Sequence, residues 1–175
     1  MKRFAILACL STLMAAGCGS SNPTTPSTQP TVFNVQLRAS NEVPPVTNAE
    51  NTATGTAVIT IKPERDGSGT VTGGTIDFSV SMNGLQSTTV LTAAHIHPGA
   101  AGVPGGVLIG TGLTSQDNVP ISNGSASFSK LNVPANGTTT TAAQNISAIL
   151  ANPAGFYFNV HTAANPGGVM RGQLQ

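Results

Sequence analysis

An antiparallel all-β domain, a Greek-key β-sandwich or barrel of about eight strands, is predicted by three observations. Apolar and polar residues alternate with a period of two from Val32 onward, the spacing that turns one face of a strand inward. Turn signals rich in Gly and Asn separate the alternating runs. Thr, Val, Gly and Asn are abundant and charged residues make up only 7% of the chain, a composition that suits antiparallel sheets with one face packed on a core.

The strands follow in order. Phe33, Val35 and Leu37 alternate with Asn34, Gln36 and Arg38. Ala57, Ile59 and Ile61 form the next apolar row, and Ile76, Phe78, Val80 and Met82 the third. Thr88 to His97, Gly106 to Thr111, Ser125 to Leu131, Gly155 to Thr162 and Gly168 to Leu174 complete the set. Between them stand Arg65-Asp66-Gly67, Asn83-Gly84, Asn123-Gly124, Asn136-Gly137 and Asn165-Pro166-Gly167-Gly168. One stretch breaks the period: Ile146, Ile149 and Leu150 recur at helical spacing, which predicts a short helix near 142–150 that ends at Asn152-Pro153.

The amino-terminal end reads as targeting rather than fold. Lys2 and Arg3 precede a short apolar stretch, Phe4 to Ala16, too short for a membrane span, and the small residues of Ala15-Ala16-Gly17 lead into Cys18. This ending resembles a bacterial lipobox, which implies a signal peptide over residues 1–17, cleavage before Cys18 and acyl chains on that cysteine. Gly19 after the cysteine implies, by analogy with lipoprotein sorting, the cell outer membrane. Residues 18–31 are a Ser/Thr/Pro-rich tether without apolar periodicity, and residues 32–175 form one domain.

Composition excludes several function classes. Cys9 falls in the discarded segment and Cys18 carries lipid, so the domain has no thiol for disulfides, thiolate metal sites or cysteine catalysis. Without Lys2 and Arg3, five basic residues face six acidic ones, a balance with no footprint for nucleic acid. Glu42, Glu50, Glu64, Asp66, Asp77 and Asp117 show no pairing suited to acid–base catalysis, and no Ser or Thr sits in a nucleophile motif. A non-catalytic binding or structural module is therefore expected, with the membrane reached by its lipid anchor and an envelope or extracellular protein as partner.

The chemical lead is the histidines. The chain has three: His95 and His97, two apart on one strand and so on one face, and His161 on a late strand. If Phe156, Phe158 and Val160 face the core, Tyr157, Asn159 and His161 face outward; Ile96 likewise turns both neighbouring histidines outward. The loops Pro98–Gly106 and Thr162–Gly168 are placed to cover them. Three imidazoles suit copper or zinc. The alternative is a purely structural role in which they hydrogen-bond loop carbonyls. Asp77 and Asp117 are the acids considered as partners for them. Asn41-Glu42-Val43-Pro44-Pro45-Val46 reads as a kinked strand end whose prolines block edge pairing, and Arg171 as a packed partner for an acid.

Four motifs together carry a family resemblance: Asn41-Glu42-Val43-Pro44-Pro45-Val46 with Ala53-Thr54-Gly55; Ala93-Ala94-His95-Ile96-His97; Asn159-Val160-His161-Thr162 running to Gly168; and Arg171-Gly172-Gln173-Leu174. They resemble the CHRD (chordin) domain from about Phe33 to Leu174. That family is named for repeats of a secreted animal antagonist of bone morphogenetic proteins and occurs in many bacterial exported proteins. The resemblance implies a CHRD domain-containing bacterial lipoprotein and, by analogy, protein interaction. Members often carry an acidic residue and Ile where this chain has Val169 and Met170. The histidine pattern is also similar to the copper site of copper–zinc superoxide dismutases, whose Greek-key fold and Ig-like folds are the two nearest architectures. The further histidines and the disulfide of that family are missing, so redox catalysis is the least expected activity.

Overall fold

The computed structural model describes residues 28–175; the expected signal peptide over 1–17, Cys18 and the start of the expected tether lie outside the described residues. Eight antiparallel strands are present: β1 Thr31–Arg38, β2 Thr54–Arg65, β3 Val71–Asn83, β4 Leu91–Pro98, β5 Ile109–Gly110, β6 Ala126–Pro134, β7 Phe156–Thr162 and β8 Met170–Gln173. They form one sheet in the order β5-β4-β7-β8-β1-β2-β3-β6. The all-β antiparallel class and the strand number are those the alternation predicts. The run expected at Gly106 to Thr111 contracts to the two residues of β5.

The sheet curls into a half-barrel. In a flat sheet β7 and β3, four positions apart, would be separated by about 19 Å at the usual strand spacing. Instead Phe158 of β7 stacks on Phe78 of β3 with ring centroids 5.6 Å apart. Curling is what lets one sheet enclose a core. The inward residues of β1 (Val35, Leu37), β2 (Ala57, Ile59, Ile61), β3 (Ile76, Phe78, Val80, Met82) and β7 (Phe158, Val160) are all at most 1% exposed. These are the residues at period two in the sequence, so register and core agree: Phe33 pairs with Ile59, Val35 with Ala57, Ile59 with Phe78 and Ile61 with Ile76.

The helix, α1, spans Ala142–Ala151. Thr141 caps it by accepting from the Gln144 backbone N–H at 3.3 Å, and Gln144 Oε1 accepts from the Thr141 N–H at 2.9 Å. This reciprocal pair satisfies two of the donors that a helix start leaves open. Ile146 and Ile149 are fully buried in the same core, and α1 packs on β3 beside Gly74, which leaves room for the tip of Ile146.

The seam between β8 and β1 depends on close approach. Only Arg38 and Arg171 are register partners there, and a side chain added at Gly172 would collide with the Gln36 carbonyl oxygen and come within 2.8 Å of Val35 Cγ1. Both neighbours belong to a packed strand and have little freedom to yield. Gly172→Ala is therefore expected to destabilise the domain by about 1–3 kcal/mol, the range for overpacking, measured as a lowered chemical-denaturation midpoint with an unchanged slope.

Candidate functional site

β7 decides where the site lies. Its residues from Tyr157 to Thr162 are all buried. Phe158 and Val160 face the core, while Tyr157, Asn159 and His161 lie under the loops that follow β4 and β7. The expectation of outward-facing histidines is met in direction, with Ile96 fully buried in the core between them. The expected covering by the loops after β4 and β7 is met as well, and it leaves His97 and His161 only 6% and 9% exposed. His95 is half-buried.

The loops are held by the side chains beneath them. Next to the Gly105 carbonyl oxygen, 3.0 Å away, lies His97 Nδ1; His161 Nδ1 lies 2.9 Å from the carbonyl oxygen of Pro166. A carbonyl only accepts, so in both rings the proton belongs on Nδ1, and Nε2 carries a lone pair. The two Nε2 atoms turn toward one point, 3.0 and 3.1 Å from Asn159 Oδ1. His95 completes the group, its Nδ1 3.1 Å from His161 Nε2. One ligand nitrogen from each of the three rings lies within 4.8 Å of the others. The three histidines of the chain thus meet at one place in the fold.

Electrostatics keep the rings neutral. Burial lowers the pKa of His95 to about 4, helped by the neighbouring His161 and His97. Burial also lowers His97 and His161, and the carbonyl bonds of those rings oppose it only in part. Neutral imidazole is the form that offers a lone pair to a metal.

A layer of residues around the histidines was not legible as part of the site. Tyr157 stacks flat on His97, with centroids 4.8 Å apart and planes inclined by 4°. Its hydroxyl accepts from the Gly105 N–H at 3.1 Å. The Arg171 guanidinium lies 4.2 Å from the centre of the Tyr157 ring, near enough for a cation–π contact. Arg171 is buried as expected, but no acid lies within ion-pair distance; its Nη1 donates to the Val103 carbonyl at 3.4 Å. Glu42 is the nearby acid. The segment containing it follows the end of β1 with Asn41 and Val43 to Pro45 exposed, but a 3-10 turn at Ala39–Asn41 delivers the Glu42 carboxyl to a buried position under Gly168. Burial pushes its pKa up to about 7, with Arg171 and the Asn159 amide pulling it back only partly.

Asp77 and Asp117 are not partners of the histidines. Asp77 pairs with Lys62 at 2.8 Å and Asp117 with Lys130 at 2.6 Å, both away from the site. The acid that supports His161 is Glu50, fully buried. It accepts from Thr162 Oγ1 at 2.8 Å, Asn165 Nδ2 at 2.6 Å and the Gln86 N–H at 3.0 Å, fixing the loop that carries Pro166. The only sequence signal for this layer was the Tyr157-Asn159-His161 alternation. Glu42 and Glu50 precede β7 by more than a hundred residues. Val169 and Met170 are fully buried in the core.

The raised pKa of Glu42 gives a pH prediction. The folded state holds its proton more tightly than the unfolded chain, whose carboxyl titrates near 4.5. The stability it contributes is present at low pH and is lost as pH rises from about 4.5 through about 7. Glu42→Gln removes that loss: its stability relative to the native chain should increase between pH 5 and pH 8, read from denaturation midpoints at each pH. A constant difference across that range would show that Glu42 is ionised throughout.

No curated protein and no solved structure matches the chain. The family model for the CHRD domain matches residues 33–174, the span from β1 to the residue after β8, with the three histidines, Asn159 and Arg171 inside it. The chain therefore belongs to the CHRD domain family.

Proposed function

We propose that this protein is an exported lipoprotein, anchored at the outer membrane through acyl chains on Cys18, whose CHRD domain is a non-catalytic binding module for a copper or zinc ion at His95, His97 and His161. One observation carries the metal reading. The Nδ1 atoms of His97 and His161 are turned to backbone carbonyls, the usual support of a metal-bound imidazole, so both Nε2 lone pairs converge beside His95. Asn159 Oδ1 faces the same point and is a further acceptor. With the single ring proton of His95 on its other nitrogen, the point is faced by acceptors alone, which suits a cation.

Zinc or copper held by three nitrogens at about 2.0–2.1 Å spaces them about 3.3 Å apart. The widest pair here, within 4.8 Å, closes by roughly 1.5 Å on that geometry. Half-buried His95 is the ring with room to move. Three protein ligands leave one position open.

A second reading has its own support. His97 and His161 donate from Nδ1 to the loop carbonyls of Gly105 and Pro166, and a proton on His95 Nδ1 points at the His161 Nε2 lone pair 3.1 Å away, so the cluster also serves as a hydrogen-bonded clasp for the two loops. The domain would then be a binding or structural module for an envelope or extracellular protein.

Metal analysis of the purified full-length protein separates the two. The metal reading expects one equivalent of copper or zinc, absent from a His95→Ala/His97→Ala variant. It also expects a melting temperature raised by roughly 5–10 °C at saturating ion, from about 2.7 kcal/mol at a hundredfold excess over Kd. No bound ion and no shift with either metal, beside lowered stability of the His97→Ala and His161→Ala variants, would leave the clasp. The anchor is checked separately: Cys18→Ser should move the protein from the membrane to the soluble fraction, with its fold unchanged. Membrane retention of that variant would refute lipidation at Cys18.

A further inference from the structure

A cleft of about 670 Å³ lies beside the histidine site, over the seam between β1 and β8, within the size range of small-ligand sites. Its floor includes Asn34, Gln36 and Arg38, three alternate residues on the outer face of β1, spaced about 7 Å apart by the pleat. All three are exposed, and none of their side chains makes a hydrogen bond or ion pair among the described residues. Arg171 and Glu42 also line the cleft.

Charge in this cleft is unbalanced. Arg38 and Arg171 are register partners on neighbouring strands, so their side chains share one face. Like charges directly opposite one another are unfavourable, and the two ion pairs among the described residues involve neither arginine. Arg171 is 2% exposed, yet its Nη2 has no hydrogen-bond partner, and Glu42 Oε1 is likewise without one. Such orphaned buried groups are rare and call for an explanation. Glu42 is the one acid on the cleft wall, so two guanidinium charges face at most one carboxylate.

We propose that the cleft binds a small hydroxylated carboxylate of the sugar-acid class. The carboxylate takes the planar donor fork of Arg38, a geometry that guanidinium matches with two parallel hydrogen bonds, and lies in the added potential of Arg171. The hydroxyls meet Asn34 and Gln36, whose amides both donate and accept. No aromatic side chain lines the cleft, so recognition rests on charge and hydrogen bonding rather than ring stacking. This site is independent of any metal at the histidines.

The test is an NMR titration of the metal-free, full-length protein with a dimer of galacturonic acid, a neutral dimer of galactose and inorganic phosphate. The acidic dimer should give saturable shifts at the backbone amides of Asn34, Gln36, Arg38, Ala101 and Gly102, and the neutral dimer should bind at least tenfold more weakly. Arg38→Gln should weaken the acidic dimer by about tenfold or more, the loss of one charge-assisted contact. Its melting temperature should not change, since Arg38 is exposed. The proposal is overturned by any of three results: no saturable shift with the acidic dimer, equal binding of the neutral dimer or by Arg38→Gln, or phosphate binding as tightly at the same amides. The last would mark a plain oxyanion site that does not read hydroxyls.

Discussion

Burial of polar groups on the outer face of β7 is the constraint from which the rest of the site follows. A strand in a half-barrel normally has one wet face. Here Tyr157, Asn159 and His161 are buried as well, though less completely than Phe158 and Val160 on the core side. A buried donor or acceptor without a partner costs about 1–3 kcal/mol, so each of these groups draws a loop onto itself. His97 takes the carbonyl of Gly105, His161 that of Pro166, and Tyr157 the Gly105 N–H. Gln173 Nε2 binds the carbonyls of Gly99, Ala154 and Phe156. The loops are ordered by the strand beneath them rather than by apolar contacts of their own.

The same requirement shapes the chemistry. Once both Nδ1 atoms are committed to carbonyls, the Nε2 lone pairs have nowhere to turn but toward each other and Asn159. Burial keeps the rings neutral, so the two Nε2 atoms and Asn159 Oδ1 form an array of acceptors. Arg171 is the one cation in this layer, and it lies over Tyr157 instead of pairing with an acid. Guanidinium is weakly hydrated and stacks on aromatic faces, which makes it the cation that tolerates such a place. Glu42, buried a short way off, answers the cost of burial by holding its proton.

The histidine site and the cleft share this layer but differ in what they offer. The histidines present lone pairs under a seal of loops. The cleft presents donors and positive charge in the open, along the outer face of β1. Arg171 and Glu42 stand between the two, so a substitution at either is expected to be felt in both, whereas Arg38 belongs to the cleft alone.

Strands, core and helix were legible in the sequence because each rests on a local period. Phe33, Val35 and Leu37 announce a strand whatever they pair with, and Ile146 and Ile149 announce a helix face that Thr141 and Gln144 start. The pleat also determined the direction of the three histidines, since alternation along one strand needs no knowledge of its neighbours. The loops that cover them, Pro98–Gly106 and Thr162–Gly168, follow directly on the two strands; the acids packed around the site were a matter for tertiary structure alone. Glu42 and Glu50 precede β7 by more than a hundred residues, and Asp77 and Asp117, equally plausible by composition, are held elsewhere by Lys62 and Lys130. The order of strands in the sheet, and the curl that brings β7 back to β3, decide which loops meet. Burial, pKa and hydrogen-bond partners all depend on that meeting, and no local pattern encodes it.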